Sequence, residues 1–162
     1  MKLPIAVVGA GIGGLTSALA LAAAGFKVKL FEQAAYLAEV GAGLQLSPNA
    51  SRVLIELGLE QPLAEAGFEP EAAEVRHWRS GLVLSRGPLA DHARKRWAAP
   101  YYHIHRADLQ QLLLAAVRAN SHISLQLNAA CAGVASDADG ACLELANGEQ
   151  HEAALLIGAD GI

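Results

Sequence analysis

A cluster of glycines near the amino terminus, Gly-Ala-Gly-Ile-Gly-Gly at positions 9–14, constrains the fold of this chain more than any other feature. A short apolar run with β-branched residues precedes it at 3–8, and an Ala- and Leu-rich segment follows it at 15–24. The run predicts a strand buried on both faces, and the segment, closed by Gly25, predicts a helix. A second apolar run at 27–31 completes a β-α-β unit, which implies a parallel sheet.

The glycine spacing matches the G-x-G-x-x-G pattern of dinucleotide-binding turns. We expect Gly9 to permit the tight turn, Gly11 to let the backbone approach a pyrophosphate, and Gly14 to allow close packing of helix and strand. The pyrophosphate would lie at the helix N-terminus, where N–H groups and the helix dipole favour an anion. Glu32 ends the second strand 21 residues after Gly11, where its carboxylate can accept hydrogen bonds from ribose hydroxyls. The alternative is a glycine turn in an α/β fold that binds no nucleotide.

The chain has 162 residues, a net charge of −4 and 53% hydrophobic residues. This length suits one globular domain and is too short for a two-domain enzyme of ordinary size. The hydrophobic fraction excludes a disordered chain, and the mild acidity gives no electrostatic reason to bind nucleic acid or an anionic membrane. The 2 cysteines cannot build a disulfide framework, so a reducing cytoplasm is the expected location.

The sequence also contains weak indications of export and of metal binding. No charge lies between Lys2 and Lys27, as in a signal peptide or a membrane span. Pro4 and the glycines of the turn argue against both, because they stand where an uninterrupted helix would have to run. His103 and His105 alternate along an extended segment, but no third ligand has suitable spacing, so no metal site is predicted.

The rest of the chain mixes helical and strand-like segments. The pattern predicts, in order, a glycine-rich loop at 40–49, a helix to about residue 57, a β-hairpin at 75–85, a charged turn or short helix at 91–96, an extended segment at 101–105 and an amphipathic helix at 106–119. From residue 123 onward it predicts strands at 123–127, 130–135, 141–146 and, as one strand, 149–158.

Two further motifs could carry chemistry. Arg106 stands at a predicted helix start, where it could contact a pyrophosphate or a ribityl oxygen; the alternative is a solvated arginine beside a capping Asp108. Asp160 follows an apolar strand. Because ligands in open α/β sheets bind outside the carboxyl ends of the strands, Asp160 should face the same crevice as the glycine turn.

Taken in this order, the motifs resemble the FAD-dependent aromatic hydroxylases, which are single-component flavoprotein monooxygenases. Within them the resemblance is to the salicylate, 3-hydroxybenzoate and 6-hydroxynicotinate hydroxylase branch, and it covers essentially all of the chain. The segments that carry it are 7–14, 31–33, 40–49, 100–109 and 157–161. The blocks at 40–49 and 100–109 are the most specific, and they argue against other flavoprotein classes.

The resemblance implies a Rossmann-like FAD-binding α/β fold with a parallel sheet and β-hairpins, incomplete relative to the family. Residues 1–162 would be a partial N-terminal FAD-binding domain, with 71–90 a β-hairpin excursion that belongs to the sheet of the substrate domain. In this family NADH or NADPH reduces FAD, and the reduced flavin uses oxygen to hydroxylate a small aromatic acid or phenol. The sequence does not distinguish the two nicotinamide nucleotides.

The resemblance also implies roles for individual residues. Residues that would hold FAD by the pyrophosphate turn are Gly9, Ala10, Gly11, Ile12, Gly13 and Gly14. Glu32, followed by Gln33, would bind the adenosine ribose, and the backbone at Cys131 would meet the adenine. Gln45 would lie beside the flavin ring on the substrate side, where some relatives have a histidine. Arg106 would contact the phosphate and ribityl region, and Asp160 would serve both FAD and the nicotinamide nucleotide.

Family members continue past this Asp-Gly motif with a second flavin motif and most of the substrate-binding sheet. We therefore expect the FAD-binding part of a hydroxylase that does not turn over by itself, with possible association into homodimers. The strand that leads to Asp160 should form a sheet edge. The alternative is a non-catalytic nucleotide-binding module from a truncated gene.

Overall fold

The computed structural model describes residues 3–37 and 41–161. The elements are, in chain order, β1 (Ile5–Val8), α1 (Ile12–Ala23), β2 (Val28–Phe31), β3 (Gly43–Leu46), α2 (Pro48–Glu56), α3 (Glu60–Ala66), β4 (Ala72–Arg76), β5 (Val83–Pro88), α4 (Ala90–Trp97), β6 (Tyr102–His105), α5 (Arg106–Ala119), β7 (Ile123–Gln126), β8 (Cys131–Ser136), β9 (Ala141–Leu145), β10 (Gln150–Ala153) and β11 (Leu155–Gly158). The chain divides into two compact units: unit 1 comprises residues 1–39 and 110–162, and unit 2 comprises residues 40–109.

A four-stranded parallel sheet in the order β11-β1-β2-β7 forms the centre of unit 1. In its register Val8 lies opposite both Phe31 and Gly158, so the strands end together at one edge. All four residues of β1 are buried, as the continuous apolar run predicts. The helix α1 connects β1 to β2 and packs against β1, β2 and β7. This is the predicted β-α-β unit, and it confirms the predicted fold class.

The helix α1 ends because of a glycine. The N–H of Gly25 donates to the carbonyl oxygen of Ala22 at 2.9 Å, and Gly25 has φ +88°, a conformation that favours glycine. The chain then turns directly into β2. The second strand therefore returns beside the first after a helix of 12 residues.

A three-stranded antiparallel sheet, β10-β9-β8, supplies the second layer of unit 1. One core cluster contains apolar residues of both sheets, namely Ala6, Val8, Phe31, Ala129, Leu143, Leu145 and Ala153. Burying these side chains against each other joins the two sheets. The antiparallel sheet therefore packs against one face of the parallel sheet.

Unit 2 contains two antiparallel strand pairs and three short helices. The strands β3 and β6 pair with Gln45 opposite His103, and β4 pairs with β5 as the predicted hairpin. The turn of this hairpin includes Gly81 at φ +70°. Both hairpin strands are exposed along almost their entire length.

The structure differs from the predicted elements in four places. The predicted loop at 40–49 contains strand β3; Val40 lies outside the described residues. The predicted single strand at 149–158 is two strands, β10 and β11, which belong to different sheets. The strand is interrupted at Ala154, whose N–H donates to the carbonyl oxygen of Pro4. The short helix α3 has no counterpart in the prediction. The helix α1 begins at Ile12 rather than at residue 15. The prediction missed the first turn because it contains Gly13 and Gly14, and glycine has low helix propensity.

The strand β11 lies at an edge of the parallel sheet, as expected for the segment that leads to Asp160. Across the residues that the structure describes, none of the helices combines the length and the apolar character needed to cross a membrane.

Candidate functional site

The glycine-rich turn joins the carboxyl end of β1 to α1. The N–H of Gly9 donates to the carbonyl oxygen of Phe31 at 2.7 Å, and its φ of +96° is one that L side chains rarely adopt. A Cβ at this position would lie 2.5 Å from the carbonyl oxygen of Ala159. The fold itself therefore requires glycine at position 9.

Gly14 is required for a different reason. A Cβ built on it would lie 1.8 Å from the carbonyl oxygen of Gly9, well inside contact distance. The first turn of α1 consequently rests directly on the turn that precedes it. The predicted close packing is confirmed, and the atom that demands it belongs to the turn itself.

Gly11 and Gly13 differ from these two glycines. Within the described part of the chain, no heavy atom beyond the immediate neighbours lies within 4 Å of a Cβ built at either position. Gly11 has φ −68° and ψ −178°, an extended conformation open to any residue. The fold does not require glycine at position 11, and the space in front of its backbone is open to a ligand.

The N-terminus of α1 is suited to an anion. Among the described residues, no side chain caps this end of the helix and no acid stands in its first turn. The N–H groups of Gly11, Ile12 and Gly13 find no acceptor within the described ranges. Free N–H groups and the positive end of the helix dipole together attract a phosphate oxygen.

Glu32 follows β2 at the same edge of the sheet, and it is partly buried. One carboxylate oxygen, Oε2, accepts a hydrogen bond from the N–H of Ala10 at 2.7 Å, and Oε1 accepts one from the N–H of Ala34 at 2.9 Å. Each oxygen of a carboxylate has a further lone pair for a ligand hydroxyl. The carboxylate is therefore oriented beside the turn before any ribose arrives.

A cavity of about 120 Å³ lies beside Glu32. The residues that line it include four of the predicted site residues besides Gly9: Glu32, Gln33, Cys131 and Asp160. Gln33 and the thiol-bearing Cys131 are exposed, and the Cys131 Sγ lies 3.8 Å from the carbonyl oxygen of Gly133. Residues separated by more than a hundred positions in sequence thus share one cavity, as the motif order predicted.

Asp160 reaches this cavity through the edge strand β11. The N–H of Ala159 donates to the carbonyl oxygen of Val8 at 2.7 Å, which extends the β11–β1 pairing to the end of both strands. The backbone of Asp160 then passes close to Gly9, since a Cβ on Gly9 would lie 2.7 Å from its Cα. Asp160 and the glycine turn share one crevice, where the sequence placed them.

Gln45 and Arg106 lie in unit 2. Gln45 is exposed on β3, and its Oε1 accepts a hydrogen bond from the Tyr101 hydroxyl at 3.0 Å. Arg106 begins α5, and its N–H donates to the carbonyl oxygen of Ala42 at 3.2 Å. A Cβ on Gly41 would lie 3.0 Å from the Arg106 Cβ, so Gly41 leaves room for the arginine side chain. Their roles at the flavin ring and the phosphate stay predictions.

Two clefts elsewhere are larger than the cavity beside Glu32. One, of about 360 Å³, lies in unit 1 between Leu3 and Asp137, and another, of about 370 Å³, lies in unit 2 beside Trp97 and Tyr101. Neither is lined by any of the predicted site residues, although the second includes Ser47, Pro48 and Asn49 at the N-terminus of α2. In the described part of the chain, no group of three or more His, Cys, Asp or Glu side chains could hold a metal ion.

One residue of the site was not singled out from the sequence. Gln110 on α5 is only 2% exposed, and its Nε2 lies 3.5 Å from the carbonyl oxygen of Ala10. The available signal was a polar residue within the apolar stripe of this helix, whose buried members include Leu109, Leu113 and Val117.

The comparisons with known proteins agree with this geometry. Residues 2–162 match the family described as FAD binding domain. The chain is 45% identical to 3-amino-4-hydroxybenzoate 2-monooxygenase of Streptomyces cremeus over 158 residues, which are 98% of this chain and 39% of the relative. It is 40% identical to 6-hydroxynicotinate 3-monooxygenase of Bordetella bronchiseptica, again over 98% of this chain and 40% of the relative.

Solved structures give the same result. A variant of HpxO from Klebsiella pneumoniae in complex with FAD superposes with a TM-score of 0.84 at 27% identity, over 99% of this chain and 40% of that one. A tetrameric form of 2-methyl-3-hydroxypyridine-5-carboxylic acid oxygenase superposes with a TM-score of 0.82 at 30% identity, over the same shares.

The chain thus spans about 40% of the length of these relatives. The resemblance inferred from the motifs is confirmed, and so is FAD as the cofactor of the family. Because the match extends over nearly every residue of the sequence, the chain belongs to the FAD-binding domain family.

Proposed function

We propose that this chain binds FAD and is the FAD-binding part of an NAD(P)H-dependent monooxygenase that hydroxylates a small aromatic acid or phenol. The observation that carries the proposal is the open backbone at Gly11. Its conformation is ordinary and its Cβ position is empty, so the space serves the approach of a ligand rather than the packing of the protein.

The residues of unit 1 fit the adenosine diphosphate half of FAD. The pyrophosphate would accept hydrogen bonds from the N–H groups of Gly11, Ile12 and Gly13. The ribose would donate to Glu32, whose carboxylate is already oriented by Ala10. The adenine would lie beside Gln33 and the backbone of Cys131, which line the cavity next to Glu32.

Bound FAD would supply the redox chemistry, taking electrons from NADH or NADPH and using oxygen to hydroxylate the substrate. The protein would bind, orient and shield the cofactor. Asp160 would serve FAD and the nicotinamide nucleotide, and in unit 2 Arg106 would contact the phosphate and ribityl region while Gln45 lies beside the flavin ring. The names of the relatives, a hydroxybenzoate and a hydroxynicotinate monooxygenase, support a small aromatic acid as the substrate of the complete enzyme.

The proposal extends to the setting of this domain. The hairpin within residues 71–90 would belong to the sheet of the substrate domain, consistent with its exposed strands. The complete enzyme would act in the cytoplasm and associate as a homodimer, without binding nucleic acid or membrane.

The test is a titration of the purified chain with FAD, followed by flavin fluorescence, for the unmodified protein and the variants Gly11→Ala and Gly87→Ala. The methyl group of Gly11→Ala would occupy the space of the pyrophosphate. It should weaken FAD binding by at least about tenfold, equivalent to roughly 1.4 kcal/mol, while the melting temperature stays the same. Gly87→Ala is the matched control, because its Cβ also meets open space but Gly87 lies on the exposed strand β5, outside the predicted site residues.

Three outcomes would contradict parts of the proposal. Equal FAD affinity in Gly11→Ala and the unmodified chain would remove its central argument. Binding of ADP without any binding of FAD would favour a non-catalytic nucleotide-binding module. Substrate-dependent NADH oxidation with a hydroxylated product, by the chain alone, would show that it needs no further segment for turnover.

A further inference from the structure

A buried glutamine on α5 has no role in the site as described so far. Gln110 is 2% exposed and lies within the apolar stripe of the helix. An uncharged amide buried among apolar side chains is unfavourable unless its polar atoms form hydrogen bonds. The side-chain amide of Gln110 is therefore expected to form a hydrogen bond with a nearby polar group.

That partner is the glycine turn. The Gln110 Nε2 lies 3.5 Å from the carbonyl oxygen of Ala10, whereas its Oε1 is buried and finds no partner among the residues described. Because the Nε2 forms a hydrogen bond and, within the described ranges, the Oε1 does not, the contact of Nε2 with Ala10 is the interaction that orients this side chain. Ala10 itself is completely buried between Gly9 and Gly11.

Ala10 is held from two directions. Its N–H donates to the Oε2 of Glu32 at 2.7 Å, and its carbonyl oxygen faces Gln110. The two peptide planes that meet at Ala10 are thus each tied to a side chain. One tie comes from the end of β2 and the other from α5, and the two contacts span 22 and 100 residues of sequence.

The contact with Gln110 also determines where the next amide points. No described peptide bond is cis, so the carbonyl of Ala10 and the N–H of Gly11 lie in one peptide plane and point in opposite directions. A carbonyl drawn toward the buried Gln110 directs the Gly11 N–H away from α5. This N–H has no acceptor in the described part of the protein, and a Cβ built on Gly11 would meet no described atom within 4 Å beyond its immediate neighbours.

We propose that Gln110 is a positioning residue for the pyrophosphate of FAD, acting through the carbonyl of Ala10 to aim the N–H of Gly11. The inference rests on the proposed function, because it assigns this amide to the bound pyrophosphate. Gln110 does not touch the ligand. It restricts the rotation of the Ala10–Gly11 peptide, which would otherwise be held only from its N-terminal side, by Glu32.

The decisive variants are Gln110→Leu and Gln110→His. Leucine has a similar size and no donor, so it preserves the apolar packing and releases the Ala10 carbonyl. Histidine restores an N–H donor at a similar reach. We expect Gln110→Leu to weaken the binding of FAD and of ADP by about tenfold with an unchanged or higher melting temperature, and Gln110→His to recover most of that loss.

A purely structural role predicts another pattern. In that case Gln110→Leu would lower the melting temperature, and Gln110→His, a poorer fit in an apolar stripe, would be no better at binding FAD. That pattern would overturn the inference. If the unmodified chain binds no FAD, the proposed function fails and this inference with it; if it binds FAD and Gln110→Leu binds equally well, only the role of Gln110 fails.

A measurement on the unmodified protein covers the case in which the variants do not fold. In NMR spectra of the 15N-labelled chain, the side-chain amide hydrogens of Gln110 should be protected from exchange, and addition of ADP should shift the Gly11 amide signal. Rapid exchange of the Gln110 amide hydrogens would show that the contact with Ala10 does not form in solution and would overturn the inference.

Discussion

Strands of the parallel sheet of unit 1 and of the β4–β5 hairpin of unit 2 both contain valine or leucine, but these side chains have opposite surroundings. The four residues of β1 are all buried, whereas the six residues of β5 are all exposed. Val7 has no exposed surface, and Leu84 is 60% exposed. An apolar, β-branched pattern therefore predicts that a segment is extended, but burial depends on the layers that tertiary structure brings to its faces.

The difference bears on the site. The glycine turn stands on strands that two layers hold in place, so its backbone geometry is determined by packing. The hairpin has no such cover within the described part of unit 2, and Trp78 near its turn is 81% exposed. Substitutions should therefore affect stability strongly around the turn and weakly in the hairpin.

The largest effect is expected for Gly14→Ala. The new methyl group would lie 1.8 Å from the carbonyl oxygen and 2.9 Å from the carbonyl carbon of Gly9, and these backbone atoms leave it no room. We expect the free energy of unfolding to fall by about 4 kcal/mol or more, as in the severe class of single substitutions. Urea denaturation followed by circular dichroism measures this loss. A loss below about 1 kcal/mol would show that the turn can shift, against the rigidity inferred from the sheet.

A pair of leucine substitutions tests the comparison directly. Leu143 has no exposed surface in the core cluster of unit 1, whereas Leu84 lies on the exposed hairpin. Leu143→Ala should cost about 3 kcal/mol in unfolding free energy, because it removes buried apolar surface and leaves a cavity. Leu84→Ala should change it by less than about 0.5 kcal/mol. Equal losses for the two variants would mean that the hairpin is covered in solution, for example in an oligomer.

Gly13→Ala should act in the opposite direction. Gly13 is an exposed helical position with open space at its Cβ, so alanine gains helix propensity without a clash. Thermal unfolding should show a stabilisation of about 0.5–1 kcal/mol. A destabilised Gly13→Ala protein would indicate a constraint on the first turn that its open surroundings do not suggest.

The smallest effect is expected at an exposed carboxylate. Hydrogen bonds from Gln126 and then His151 lower the pKa of Glu149 below its usual 4.5. A carboxylate whose pKa is lower in the folded state stabilises the fold above pH 4.5, and this contribution is lost as the pH falls through the lowered pKa. Glu149→Gln should therefore be slightly less stable than the unmodified chain at pH 7, and the difference should shrink as the pH falls below 4.5. A difference that persists in acid would assign it to packing rather than to charge.

Local sequence patterns correctly predicted the strands and the helix next to the glycine turn. They failed for segments whose structure depends on contacts with distant parts of the chain. The β-α-β unit follows from apolar periodicity and Gly25, and the hairpin follows from Ser80-Gly81. The segment 149–158 reads as one strand because both halves share the same pattern, and its division between two sheets depends on the contact of Ala154 with Pro4. Strand β3 was not predicted because its pairing partner, β6, lies more than fifty residues away.

For the site, the sequence alone predicted the glycine turn, Glu32 and Asp160. Glycine spacing and the residue at the end of a strand are local properties, since backbone conformation depends on neighbouring residues. Only the tertiary structure distinguished the glycines that the fold requires, Gly9 and Gly14, from Gly11, whose Cβ position is open. It alone showed Ala10 held between Glu32 and Gln110. The reason is physical: a contact that spans 100 residues depends on how a helix packs against a turn, which no short sequence window contains.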